Sequence, residues 1–246
     1  MSFVHLKLRS SLKALVTGFE GWQGRVNPSG KIALELDGKE FEGLSVIGKE
    51  LPENFYGLPG VLRDLVRRIK PDILICSGWD YVSKIKVEKI GLNVMNSVFD
   101  DKIVPDNYGQ KPMGERIIPR GSPALEASFP AELIVENLNR IGIPAYVSYH
   151  AGTHCCNTVM YSALYFLKKT KPKSIAGFIH LPPIEEMGLT RESVTPMPLE
   201  REREAMESAL ITCRDYLNSR RRGVITGSKA IKQLATKHTA RGKRGS

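Results

Sequence analysis

Cys156, His180 and Glu88 could supply a nucleophile, a general base and a carboxylate that orients the base, each from a different predicted element. A cysteine becomes an effective nucleophile when an imidazole can take its proton, and an imidazole works best when a third group fixes its tautomer and direction. Each residue also has a plainer reading. Buried cysteines pack as small hydrophobes, a histidine at a strand end can be a hydrogen-bonded core residue, and Glu88 between Lys84, Lys86 and Lys89 could be solvated.

The elements around these residues decide between the two readings. Ala151-Gly152-Thr153-His154-Cys155-Cys156-Asn157 joins an apolar strand at 145–148 to an amphipathic run ending at Lys168-Lys169. Gly152 suits a tight turn and Thr153 is a predicted helix N-cap, which puts Cys156 in the first helical turn. The positive end of a helix dipole favours a thiolate there, so a lowered thiol pKa is expected. His180 ends the apolar run Ser174 to Ile179, before Pro182-Pro183. In open α/β sheets ligands bind beyond the strands' carboxyl ends, so His180 and Cys156 can face one crevice.

The rest of the chain reads as alternating strands and helices. Strands are predicted at Ala14–Gly18, Leu44–Gly48, Asp72–Gly78 and Ile143–Ser148, with helices near 31–36, 56–69, 129–141 and 200–217. Continuous apolar strands of this kind belong in a parallel sheet covered on both faces. Residues 84–93 alternate polar and apolar and predict one half-exposed strand, and Asp100 to Arg120 forms a long excursion without strong periodicity. Phe19 and Trp22 sit in a Gly-rich loop after the first strand, where two aromatics suit an apolar ligand wall or cap the core. The expected fold is one α/β domain, an open, twisted, mostly parallel sheet with helices on both faces.

Composition bounds the remainder. The chain has 246 residues, 41% hydrophobic, enough for one large core. Its formal charge of +10 is uneven: residues 219–246 carry nine Lys and Arg and no acid, leaving 27 bases against 26 acids for 1–218. The expected organisation is a catalytic domain over 1–218 and a basic, flexible tail over 219–246, binding nucleic acid only nonspecifically if at all. Cysteines at 76, 155, 156 and 213 show no zinc-ribbon or disulfide-framework spacing. A reducing cytoplasm is the expected location, with no membrane span and no metal or cofactor.

A set of short motifs, in order across roughly residues 12–215, resembles the pyroglutamyl peptidase I family of cysteine peptidases. They are Gly18-Phe19-Glu20 with Asn27-Pro28-Ser29, Val87-Glu88-Lys89-Ile90 with Asn93, and Val104-Pro105-Asp106-Asn107. Then come Ala151-Gly152-Thr153 with Cys156-Asn157 and Met160-Tyr161, Gly177-Phe178-Ile179-His180 with Pro182, and Pro196-Met197-Pro198-Leu199. The resemblance implies removal of an N-terminal pyroglutamyl residue from peptides, catalysis by Cys156, His180 and Glu88, no metal, and assembly into a homo-oligomer, tetramer or dimer. Cys155 lies one place off the motif. Phe19 and Trp22 match pocket aromatics, and Trp79 is expected to join them in substrate binding. The chain departs from the family in the loop Trp79-Asp80-Tyr81-Val82-Ser83-Lys84, which lacks a glycine–arginine element. Lys84 either replaces that arginine's charge or faces solvent. An amidase of the same scaffold with another acyl specificity is the alternative activity, and a catalytically silent protein whose basic tail binds nucleic acid is the alternative from another class.

Overall fold

The computed structural model describes residues 11–99, 101–189 and 193–223. β1 (Leu12–Phe19) is almost wholly buried and pairs in parallel with β3 (Leu44–Leu51) on one side and β4 (Ile73–Trp79) on the other. β2 (Glu40–Phe41) closes the edge as an antiparallel partner of β3. β5 (Ile85–Glu88), β6 (Ala145–Ser148) and β7 (Ile175–Leu181) complete seven strands in the order β6-β5-β7-β4-β1-β3-β2. β7 is parallel to β4, whereas β5 runs antiparallel to β7 and carries β6 parallel to itself. The sheet is therefore mixed and mostly parallel. Nearly every residue of β4 and β7 is buried, and most are apolar. Each such Leu or Ile contributes about 1.5–3 kcal/mol by leaving water.

α1 (Pro28–Leu36) is capped by Asn27, whose side chain accepts from Ser29 N–H, with Pro28 preset for the first turn. In α2 (Leu58–Ile69) Leu58, Leu62, Leu65, Val66 and Ile69 form the buried stripe. α2 packs on α4 (Cys155–Thr170), and α5 (Leu199–Arg221) packs against α1 and α3 (Ala131–Arg140). Gly18 makes one of these contacts possible: a Cβ there would lie 1.9 Å from the Ser29 carbonyl oxygen, so α1 can start against β1 only over a glycine.

Several sequence expectations are corrected. Residues 84–93 are two strands: β5, paired on both sides by β6 and β7 in the main sheet, and a short one at Ile90–Leu92 that pairs outside it with residues 124–126. Glu88 is consequently fully buried, not solvated. Thr153 does not cap α4; His154 stands at the N-cap without a side-chain cap bond, and Gly152 takes the positive φ of 76°. Residues 149–154 do more than turn. β6 runs opposite to β7 and ends with Ser148 paired to Glu88, so this segment brings the chain back to the other end of the sheet. α5 continues to Arg221, past the expected division at 218/219, and tail residues 224–246 lie outside the described residues. Among the described residues no helix is long and apolar enough to cross a membrane.

One buried charge site gives a stability test. Glu202 in α5 is fully buried with neither carboxyl oxygen partnered among the described residues, and burial pushes its pKa up to about 9. The neutral acid fits the core, so its contribution is intact below the ordinary carboxylate range and lost as pH rises toward about 9. Glu202→Gln is expected to flatten this decline, the wild-type deficit growing by up to about tenfold in the folding equilibrium per pH unit. Urea unfolding between acid and mildly alkaline pH measures it, and a pH-independent difference would contradict the buried neutral acid.

Candidate active site

The carboxyl ends of β1, β4 and β7 meet at one end of the sheet, and strand register there sets the geometry. His180 on β7 lies directly opposite Gly78 on β4 and Lys86 on β5. Side chains two apart on a strand share a face, so Glu88 joins Lys86 and His180 on one face. His180 Nδ1 is 2.7 Å from Glu88 Oε1, and both groups are buried. A carboxylate accepts, so Nδ1 donates, leaving Nε2 as the nitrogen able to exchange a proton elsewhere. Phe178, two residues before His180, packs edge-on to the imidazole at 4.8 Å between ring centres.

Cys156 comes to this face from above. As the second residue of α4 it places its sulfur over Gly78, where a Cβ would lie only 2.8 Å from Sγ. Gly78 and His180 are register neighbours, and adjacent strands are about 4.8 Å apart, so the thiol stands roughly one strand from the imidazole. Both line the same cavity, with no hydrogen bond between them among the described residues. Asn157 holds the helix start in place: it accepts from Leu92 N–H at 2.8 Å and donates to the Leu92 and Val94 carbonyls at 2.9 and 2.8 Å.

The charges around the thiol change the expected chemistry. Lys86 Nζ bridges Asp80 Oδ2 at 3.0 Å and Glu88 Oε1 at 3.2 Å. Burial works against the Lys86 charge, but the Glu88 and Asp80 carboxylates overcome it and raise its pKa. Burial likewise opposes ionisation of Asp80, and the His180 and Lys86 charges outweigh it and lower that pKa. For Cys156 the balance goes the other way. Burial, then Glu53, Asp80 and Glu88, push the thiol well up, with Lys86 pulling against them. The thiol is thus pushed up where the helix start led to an expectation of lowering, with burial first and three carboxylates behind it.

The cavity has a volume of about 370 Å³. Phe19, Trp22 and Trp79, the three expected substrate-binding aromatics, all line it, the two indoles 6.2 Å apart between ring centres. Phe19 is fixed by its N–H donating to Ser29 Oγ at 3.0 Å. The excursion after residue 100 anchors the far wall. Asp106 accepts from Phe55, Tyr108 and Gln110 N–H groups, and Asn107 Nδ2 donates to Glu20 and to the Gly21 carbonyl. Lys84 is exposed and belongs to no part of the cavity, so its solvent-facing reading holds. Lys86, Asp80, Glu53 and His154 all line the cavity, and sequence reasoning missed them as site residues. Only the two-residue spacing of Lys86 and Glu88 could have revealed the first.

Together these features define an open α/β domain with a cysteine, a histidine and a buried carboxylate gathered at an aromatic-lined cavity. The sequence model described as pyroglutamyl peptidase matches residues 12–216, and the chain belongs to this family of peptidases. A pyrrolidone-carboxylate peptidase of Pyrococcus furiosus is 36% identical over 205 residues, 81% of this chain and 96% of that protein. One from Bacillus licheniformis is 35% identical over 181 residues, 73% of this chain and 82% of the other. Among solved structures, the pyrrolidone carboxyl peptidase from Thermococcus litoralis superposes with a TM-score of 0.78 at 35% identity, covering 85% of this chain and 96% of that one. The pyroglutamyl peptidase I from Bacillus amyloliquefaciens gives 0.76 at 34% identity, covering 82% and 95%.

The packing over Gly78 predicts how the cysteines differ. Cys76, Cys155 and Cys213 are buried, whereas Cys156 is half-buried on the cavity wall. Iodoacetamide is expected to alkylate Cys156 first, as read by fragment mass spectrometry. Gly78→Ala should displace the sulfur and change that rate without exposing the other three. Equal labelling of Cys155 and Cys156 would contradict the geometry.

Proposed function

We propose that the protein is a cysteine peptidase that removes an N-terminal pyroglutamyl residue from peptides through an acyl-enzyme on Cys156. The single observation carrying this reading is the register row Gly78–His180–Lys86, with Cys156 Sγ over its first member and Glu88 bonded to its second. Membership of the pyroglutamyl peptidase family and the names of the relatives support the substrate. A small neutral lactam suits a cavity walled by Phe19, Trp22 and Trp79.

In this mechanism Cys156 starts as a thiol. Its proton passes to His180 Nε2 as sulfur attacks the pyroglutamyl carbonyl carbon, forming the C–S bond. The first turn of α4 has backbone N–H groups without helical acceptors, which can receive the developing oxyanion. His180 then protonates the departing amine as the C–N bond breaks, leaving a thioester on Cys156. Water gives a proton to His180, attacks the thioester, and releases pyroglutamate as Cys156 is reprotonated. Glu88 holds the imidazole in its Nδ1–H tautomer, and Lys86 supports Glu88 from the other side.

A different acyl specificity is the second reading, favoured by Trp79 facing Trp22 across the cavity. Profiling of N-terminally blocked peptides separates it from the first, since it changes the preferred blocking group and leaves the cysteine–histidine chemistry intact. With a pyroglutamyl-amide reporter, Cys156→Ala should reduce turnover to background while Cys155→Ala keeps most of it. Glu88→Gln should lower kcat by roughly 10²–10⁴, the scale of losing an imidazole-orienting carboxylate, and Lys84→Ala should match the wild type. Full activity in the Cys156 variant would overturn the assignment.

A further inference from the structure

Glu53, His154 and Cys155 form a second cluster, separate from the Cys156–His180–Glu88 set. A Glu53 oxygen, a ring nitrogen of His154 and Cys155 Sγ all lie within 4.8 Å of one another, with Glu53 and Cys155 buried. His154 Nε2 is 3.1 Å from the Val104 carbonyl oxygen. A carbonyl only accepts, so Nε2 carries the hydrogen, and in the neutral ring Nδ1 bears a lone pair. That Nδ1 faces Glu53 Oε1 at 3.5 Å, so two acceptors meet where a proton on either group or a cation is needed to join them.

We infer that Glu53, His154 and Cys155 form a binding site for a zinc-like divalent cation beside the candidate nucleophile. One carboxylate, one imidazole and one thiolate suit Zn²⁺ or Co²⁺ and not Mg²⁺ or Ca²⁺, which take oxygen ligands. Tetrahedral bonds of 2.0–2.3 Å separate ligand atoms by about 3.3–3.7 Å, which the Glu53–His154 spacing already meets. The outer shell is in place as well. Val104 orients the His154 ring, Phe55 packs edge-on to it at 4.4 Å between ring centres, and the Glu53 N–H donates to Glu20 at 3.0 Å. Asp106 is not a ligand, since backbone amides take both its oxygens. Three protein ligands leave a fourth position open. Glu53 and His154 line the cavity that Cys156 lines, so that position opens on the substrate side. Binding releases the Cys155 thiol proton to solvent and involves no redox change. A bound ion next to Cys156 blocks the approach of peptide, so the loaded form is inactive. That consequence rests on the proposed peptidase reading; the binding site does not.

Equilibrium dialysis of the full chain with Zn²⁺, together with the thiolate-to-metal absorption band of Co²⁺, tests the site without any activity measurement. The wild type and Cys156→Ser should both bind one ion per chain and show the band. Cys155→Ser should lose the band and bind at least about a hundredfold more weakly. His154→Gln serves as the second variant if Cys155→Ser does not fold by circular dichroism, and should weaken binding likewise. A band kept in Cys155→Ser and lost in Cys156→Ser would overturn the proposal and assign the metal to Cys156. In the activity arm, Zn²⁺ at saturating concentration should stop the wild type while Cys155→Ser keeps turning over the pyroglutamyl reporter. Undiminished wild-type turnover at saturation would overturn the inhibitory consequence.

Discussion

The bond between His180 and Glu88 joins two strands that run in opposite directions, and the rest of the site depends on it. Had β5 been another parallel strand in the sheet, its carboxyl end would lie beyond that of β7. Because it is antiparallel, its start is level with His180 and its end lies deeper, so Lys86 and Glu88 approach the imidazole from the interior. A buried carboxylate is costly without partners. Glu88 meets that cost with one oxygen shared between His180 and Lys86, while its other oxygen has no partner among the described residues. The pairing is therefore tight on one side only, which fixes the imidazole's direction.

Charge around the cavity is balanced by clustering opposites. Asp80, Lys86, Glu88 and His180 form one chain of contacts, and Lys86 sits between two carboxylates. Removing Lys86 would leave Asp80 and Glu88 without their shared cation, a change that costs far more than the net worth of the pair. The same carboxylates, with Glu53, disfavour a resting thiolate at Cys156. In the proposed mechanism the proton transfer to His180 is then coupled to attack and not completed in advance, which is the logic of a serine nucleophile applied to a thiol.

Most of the sheet was legible in the sequence because its strands are short apolar runs ending at Gly78, Ser148 and His180, and its helices carry regular apolar stripes. The candidate triad was legible too, from residue types at element ends and from motif order. What escaped prediction depended on register and chain direction. Lys84, Lys86 and Glu88 alternate identically along the sequence, yet Lys84 is exposed while Glu88 is fully buried. Only the antiparallel pairing of β5 with β7 tells them apart. Asp80 and Glu53 reach the cavity from loops whose course no local pattern specifies. Asp106 and Asn107 stood out in an aperiodic excursion, and their role is to tie it by hydrogen bonds to the loops carrying Phe55 and Trp22.

The adjacent cysteines show how much one helical step decides. Successive residues on an α-helix point about 100° apart. At the start of α4 that rotation turns Cys155 into the core, facing Glu53, and Cys156 over Gly78, facing the sheet end where His180 stands. Burial and Glu53 raise the Cys155 thiol and so disfavour its thiolate. Cys156 is also held up, but of the two it alone borders the cavity, lies roughly one strand from an imidazole whose Nε2 has no partner among the described residues, and has Lys86 pulling its charge the other way. On the proposed mechanism, reactivity at this helix start follows from which neighbour can remove the proton, and not from the helix end that both cysteines share.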